Sequence, residues 1–228
     1  MGDAQAQDFA ALRARMVVEV DAMYAETARE TGIPAMSPAV RAAMGKVERH
    51  RLVPAESRGA AYRNHPLPIG SGQTISQPYI VALSTDLLQI DSNSVVLDVG
   101  TGSGYQAAVL AEIVRQVYSI DILEPLTRTA AANLAALGYR NVEIKAGDGY
   151  AGWPEKGPFD AIVVAATAPR IPQALLEQLK PGGRLVIPVG DARQDLKLVT
   201  KRDDGGYDER DVLPVRFVPL VPGGQVLR

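Results

Sequence analysis

The sequence predicts an α/β protein built on a doubly wound, mostly parallel sheet, with an N-terminal helical arm and a C-terminal antiparallel hairpin. Three observations carry this. From residue 94 onward short apolar runs alternate with helix-like stretches. A glycine turn, Gly100-Thr101-Gly102-Ser103-Gly104, joins the first run to the helix that follows it. Near the end, Asp203-Asp204-Gly205-Gly206 separates two strand-like runs, as in a hairpin.

Taken in order, residues 8–31 place Leu12, Met16, Val17, Val20 and Met23 at helical spacing, and Gly32-Ile33-Pro34 supplies the stop. A second helix is expected over 37–47, with Ser37 as cap and Pro38 at the first position. Residues 49–72 are rich in Pro, Gly, Arg and Asn without a sustained period and are expected to be irregular. Strands follow at 94–99, 117–122, 142–146, 159–165 and 184–189, and helices at 105–115, 125–137 and 172–179. Gly138 closes the second of these helices and Pro181-Gly182-Gly183 the third. Runs at 196–201 and 212–218 complete the hairpin. The division expected is a helical arm and substrate-side segment at 1–72, then the main domain at 73–228.

Composition excludes several classes. The 228 residues are 46% hydrophobic and 22% charged, and no stretch approaches the roughly 18 unbroken apolar residues of a membrane helix. Lys and Arg total 24 against 26 Asp and Glu, so no basic excess is available for a phosphate backbone. No nucleic acid and no membrane is expected as a partner. Without Cys, and with His50 and His65 alone as imidazoles, thiolate zinc sites and Ser-His-Asp triads are poor candidates, and no metal is expected. The start lacks the basic end and apolar run of a secretory signal, so a cytoplasmic location is expected.

The glycine turn carries the chemistry. Its glycines stand at every second position, unlike the G-x-G-x-x-G spacing of dinucleotide sites. Asp98, two residues before it, would repel a pyrophosphate but suits a ligand bearing an ammonium, such as S-adenosylmethionine. Asp121, at the end of the next strand, can accept both hydroxyls of a ribose. Asp148, between Gly147 and Gly149, can accept an adenine amino group where the chain passes close to the ring. Each acid also has an ordinary reading: a strand-end acid for Asp98, a helix cap for Asp121, a turn residue for Asp148. A nucleotide-binding oxidoreductase is the rival reading from another class, disfavoured by the glycine spacing.

Beyond these features, Gly70-Ser71-Gly72-Gln73-Thr74-Ile75-Ser76-Gln77-Pro78-Tyr79 resembles the signature of the protein-L-isoaspartate (D-aspartate) O-methyltransferases, within the class I methyltransferases. VLDVGTGSGYQAAVL at 96–110 is similar to that family's cofactor motif, and the likeness runs from about residue 43 to residue 220. It implies a Rossmann-like methyltransferase fold and methyl transfer from S-adenosylmethionine to the free carboxylate of L-isoaspartyl residues in damaged proteins or peptides, which begins their repair. The alternative is a carboxyl methyltransferase with a dedicated peptide or small-molecule acceptor. The resemblance implies Ser76 as the catalytic residue, orienting the acceptor carboxylate, with Ile75 and Val81 walling the substrate. For the cofactor it implies Asp98, Gly100, Thr101, Gly102 and Gly104 at the methionine part, Asp121 with Ile122 at the ribose, and Asp148, Gly149 and Tyr150 at the adenine. A monomer is expected. The family often carries an aromatic residue or His at the position of Ser71 and Met at that of Ser84, which implies a less bulky substrate lip here. Ser76 has a second reading, as the cap of a helix starting at Pro78. Trp153 reads either as a stacking platform for adenine or as packing.

Overall fold

The computed structural model describes residues 8–223. The first seven residues, part of the start read above for an export signal, and the last five lie outside the described residues. Two helices form the arm, α1 (Phe9–Thr31) and α2 (Pro38–Lys46). Asp8 caps α1 by accepting the Ala11 N–H, and Gly32 ends it in the left-handed conformation that glycine adopts without a Cβ clash. Ser37 caps α2 through the Val40 N–H, with Pro38 at the first position. The arm buries Met16, Val20 and Tyr24 in the same core as residues of the main domain. The Tyr24 hydroxyl donates to Asp86 Oδ2 at 2.6 Å, and Arg210 Nη2 donates to the Thr31 carbonyl at 2.8 Å.

Residues 49–72 correct the expectation of an irregular stretch. They contain short 3-10 turns at Arg49–Arg51 and Ala55–Ala60 and then β1 (Leu67–Gly70), which pairs antiparallel with β2 (Gln73–Ile75). Pro68 inside so short a strand removes a ladder donor and hides it from a pattern search. The turn holds Gly70, Ser71 and Gly72 at φ of 91°, 52° and 69°. The division at 72/73 falls in this turn, with β1 on one side and β2 on the other.

After α3 (Pro78–Leu87) the alternating pattern unfolds: β3 (Val95–Val99), α4 (Tyr105–Ala111), β4 (Gln116–Asp121), α5 (Glu124–Ala136), β5 (Val142–Ala146), β6 (Phe159–Val164), α6 (Gln173–Glu177), β7 (Leu179–Val189), β8 (Gln194–Lys201) and β9 (Tyr207–Val215). The seven-stranded sheet has the order β5-β4-β3-β6-β7-β8-β9. The first five strands run parallel, and β8 and β9 are antiparallel, the C-terminal hairpin that was expected. Residues alternate across it. Val96, Val117, Ala161 and Val163 pack toward the arm, α3 and α4, while Leu97, Val99, Ile120 and Ile162 pack toward α6.

Two other expectations change. Pro181-Gly182-Gly183 does not stop a helix but lies inside β7: Leu179 already pairs with Phe159, and regular register resumes at Arg184 after an irregularity. The helix before it is correspondingly short. β9 begins at Tyr207 and ends at Val215, earlier at both ends than the 212–218 run; the charges of Asp208, Glu209, Arg210 and Asp211 mask an edge strand, where such residues are at home.

Candidate functional site

The order of the sheet reverses direction at β3, which has β4 on one side and β6 on the other. Such a switch point opens a crevice at the carboxyl ends of the strands. A cleft lies there. Its floor is the turn from Gly100 to Ser103, the segment from Asp121 to Leu123 after β4, Gly149, and Ala165 with Ala166 after β6. Gln73, Thr74, Ile75 and Ser76, with Val81 of α3, close it from the hairpin side. Val218 to Val221 form the remaining wall.

Nine of the thirteen residues expected at a site line this cleft: Ile75, Ser76, Val81, Gly100, Thr101, Gly102, Asp121, Ile122 and Gly149. Asp121 is held by two backbone donors, the Gly102 N–H to Oδ2 at 2.8 Å and the Leu123 N–H to Oδ1 at 2.9 Å. A carboxylate has about four lone-pair sites, so two remain for hydroxyls. Gly149 is required by space: a Cβ there would lie 2.7 Å from Val99 Cγ1 and 3.0 Å from Leu220 Cδ1.

Asp98, Gly104, Asp148 and Tyr150 stand elsewhere. Asp98 lies beneath the turn and is fully buried. Its Oδ2 accepts from Ser119 Oγ at 2.7 Å, and Ser119 shares a further hydrogen bond of 2.6 Å with Thr101 Oγ1, which reaches the cleft. Oδ1 has no partner. Burial, opposed by the Ser119 hydrogen bond and reinforced by the charge of Asp121, pushes the Asp98 carboxyl up to about 7. Gly104 starts α4 at φ 83°, and a Cβ there would press on Leu134 of α5 at 3.2 Å, so it serves helix packing. Asp148 accepts the N–H of Tyr150 and that of Gly223, each at 2.8 Å, and so holds the segment at Gly223. The Tyr150 N–H is thereby occupied.

Ser76 lines the cleft and also a second, more open groove bordered by Pro66, Gln77, Ile80 and residues 214–218. The capping reading of Ser76 does not hold. α3 has Gln77 as its N-cap with no side-chain bond, and the Tyr79 N–H goes to Asn64 Oδ1. Ser84 is 4% exposed within α3 and belongs to no substrate lip. Trp153 is packing: it is buried, edge-on to Tyr118 at 5.5 Å and absent from the cleft. His50 stacks on Phe9 at 4.0 Å, and exposed His65 bonds the neighbouring Pro66 carbonyl.

The wall from Val218 to Val221 escaped sequence reasoning. These residues leave the sheet after β9; the Thr167 N–H donates to the Val218 carbonyl at 2.9 Å and the Leu220 N–H to the Thr167 carbonyl at 2.7 Å. Pro219, which cannot donate to a ladder, was the available signal that the strand had ended.

The residues suit the cationic nucleoside expected from the sequence. Asp121 offers acceptors to a diol at the surface of the cleft. Gly149 brings backbone to the cleft, with Val99 and Leu220 packed where a side chain would stand. The buried Asp98 carboxyl, its Oδ1 without a partner among the described residues, lies under the glycine turn, where a nearby cation would favour its ionised form.

Comparison with known proteins bears on the same point. A family model described as protein-L-isoaspartate(D-aspartate) O-methyltransferase matches residues 21–225. A protein-L-isoaspartate O-methyltransferase 2 of Syntrophobacter fumaroxidans is 56% identical over 217 residues, covering 94% of this chain and 88% of that one. One from a Polaromonas species is 56% identical over 90% of this chain and 98% of its own length. Among solved structures, a protein-L-isoaspartate O-methyltransferase superposes with a TM-score of 0.74 at 28% identity, over 91% of this chain and 65% of that one. A putative one from Plasmodium falciparum, in complex with S-adenosyl-L-homocysteine, gives 0.72 at 27% identity over 88% of this chain and 98% of its own.

Proposed function

This chain belongs to the protein-L-isoaspartate(D-aspartate) O-methyltransferase family, and from that premise we propose that it methylates the free carboxylate of L-isoaspartyl residues in proteins and peptides, with S-adenosylmethionine as donor. The observation that carries this is the junction at Ser76. There the cleft with the glycine turn and Asp121 meets a second groove, and Thr74, Ser76, Ala165 and Val218 line both. A small donor and a polypeptide acceptor can meet there from opposite sides. An open groove favours a polypeptide over a small dedicated acceptor, and the burial of Ser84 removes one motive for the latter.

The roles follow from the chemistry. When bound, S-adenosylmethionine supplies a methyl group made electrophilic by its sulfonium. A carboxylate with an ordinary pKa near 4 is ionised at neutral pH, so the acceptor needs no general base. The residues have to align it, a contribution that reaches roughly 7–11 kcal/mol in well-oriented systems. Ser76 Oγ, which has no hydrogen-bond partner among the described residues, donates to the acceptor carboxylate. Ile75 and Val81, each 2% exposed, present apolar surface that keeps water from the reacting oxygen. Asp121 and Ile122 hold the ribose, the segment from Gly100 to Gly102 the methionine part, and Gly149 the adenine. Asp98, whose ionised form a bound cation favours, acts from below as the counter-charge; Asp148 acts by joining Tyr150 to Gly223.

The test is a paired assay with labelled S-adenosylmethionine and one peptide in L-isoaspartyl and in ordinary aspartyl form. Labelling of the isoaspartyl form alone is expected. Equal labelling of both, or of neither, would overturn the reading. Ser76→Ala should lower kcat about tenfold, the loss of one hydrogen bond to a charged group, and leave S-adenosylhomocysteine affinity unchanged.

A further inference from the structure

We propose that Asn64 is a positioning residue that caps α3 from outside the helix and thereby leaves the Ser76 hydroxyl free for the acceptor. The inference rests on the assignment of Ser76 to the acceptor carboxylate. The first turn of a helix has N–H groups without intrahelical partners, and a nearby Ser, Thr, Asp or Asn oxygen ordinarily takes one at the second or third position. In α3 the first position is Pro78, which has no N–H, so Tyr79 carries the first free donor. Ser76 stands three residues before Tyr79, the spacing at which a serine hydroxyl folds back onto the backbone. It does not do so here. The Tyr79 N–H donates instead to Asn64 Oδ1 at 3.0 Å, across fifteen residues of sequence, and the N-cap residue Gln77 contributes no side-chain bond.

Asn64 is itself held in place. Its Nδ2 contacts Met23 Sδ of α1 at 2.8 Å, which also fixes Oδ1 as the atom facing Tyr79. Tyr79 is gripped at its far end, where its hydroxyl shares a short hydrogen bond with Thr27 Oγ1 and its ring packs edge-on to Tyr24. The arm therefore reaches the catalytic loop through Asn64 and Tyr79 although it does not line the cleft. Asn64 takes the Tyr79 N–H toward which the Ser76 side chain would otherwise rotate, away from the acceptor.

The experiment measures kcat and KM on an isoaspartyl peptide and calorimetric S-adenosylhomocysteine affinity for Asn64→Ala, Asn64→Asp, Ser76→Ala and the Ser76→Ala/Asn64→Ala double variant. Asn64→Ala should lower kcat about tenfold with cofactor affinity within about twofold of the parent, because Ser76 then turns to Tyr79. Asn64→Asp, which keeps an oxygen acceptor, should restore most of the loss. In the Ser76→Ala background Asn64→Ala should cost nothing more, the non-additivity of residues acting through one another. A residue that merely stabilised the fold would cost the same in both backgrounds, and that result overturns the proposal, as does an Asn64→Ala kcat within about twofold of the parent. Should Asn64→Ala not fold, Asn64→Ser, too short to span the gap, is judged by the same outcomes. A parent protein that methylates no isoaspartyl peptide refutes the functional reading itself. A parent that does so while Ser76→Ala is fully active refutes the role of Ser76 and this proposal alone.

Discussion

Replacing Asp98 by asparagine probes a carboxyl that the fold buries beneath the glycine turn. The Asp98 carboxyl is fully buried, holds one hydrogen bond from Ser119 and leaves Oδ1 without a partner, so its pKa rises from 3.8 to about 7. A raised carboxyl pKa means that the folded state binds the proton more tightly than the unfolded chain does. The contribution of Asp98 to stability is then greatest at low pH and falls as pH rises through the interval between the two values, levelling off above about 7. The full loss is about 4 kcal/mol, of which more than half falls between roughly pH 5 and pH 8. An asparagine side chain cannot ionise. Its amide would keep the Ser119 bond through its oxygen and leave its nitrogen unpaired, which shifts absolute stability by about 1–3 kcal/mol but adds no dependence on pH. The measurement is urea unfolding of the ligand-free protein and of Asp98→Asn at several pH values in that range. The difference between the two should change by about 2–3 kcal/mol from pH 5 to pH 8, in favour of the variant at high pH. Parallel curves would show that burial does not raise the Asp98 pKa and would refute the reasoning.

Further expectations concern the cleft directly. Asp121→Ala removes the acceptor for two hydroxyls together with the anchor of the Gly102 N–H, so S-adenosylhomocysteine should bind at least about tenfold more weakly, at about 1.5–3 kcal/mol per charged hydrogen bond; unchanged calorimetric affinity would remove Asp121 from the site. Gly149→Ala drives a methyl against Val99 and Leu220, an overpacking of about 1–3 kcal/mol that should lower the thermal midpoint and weaken cofactor binding together. A variant that melts and binds like the parent would show that the segment from Val218 to Val221 yields freely.

The arm and the sheet were legible because their signals are local. Asp8, Ser37, Gly32 and Gly138 sit at helix ends for reasons that act within a few residues. The parallel strands announce themselves as apolar runs because both faces of such a sheet are covered. The glycine turn, Asp121 and Gly149 could be placed at one crevice because the strand order forces the carboxyl ends of β3 and β4 together with that of β6. By itself, then, the sequence determined the fold class, the place of the crevice and the kind of ligand that its acids and glycines admit.

Other features are decided by contacts between distant residues, which no local period records. The hairpin of β1 and β2 has strands too short to show alternation, and β7 continues through Pro181-Gly182-Gly183 because Leu179 pairs with Phe159 twenty residues earlier. Asp98 and Asp121 are both acids near strand ends, yet one is sealed beneath the turn and the other faces the cleft, a distinction set by what packs over each. Asp148 turns away from the cleft because Gly223, at the far end of the described chain, offers it an N–H. Ser76 is free of α3 because Asn64, across an intervening hairpin, has taken the donor it would otherwise bind. Only the tertiary structure decides such matters: a buried polar group must find a partner, and its identity depends on which segments the fold brings within about 3 Å.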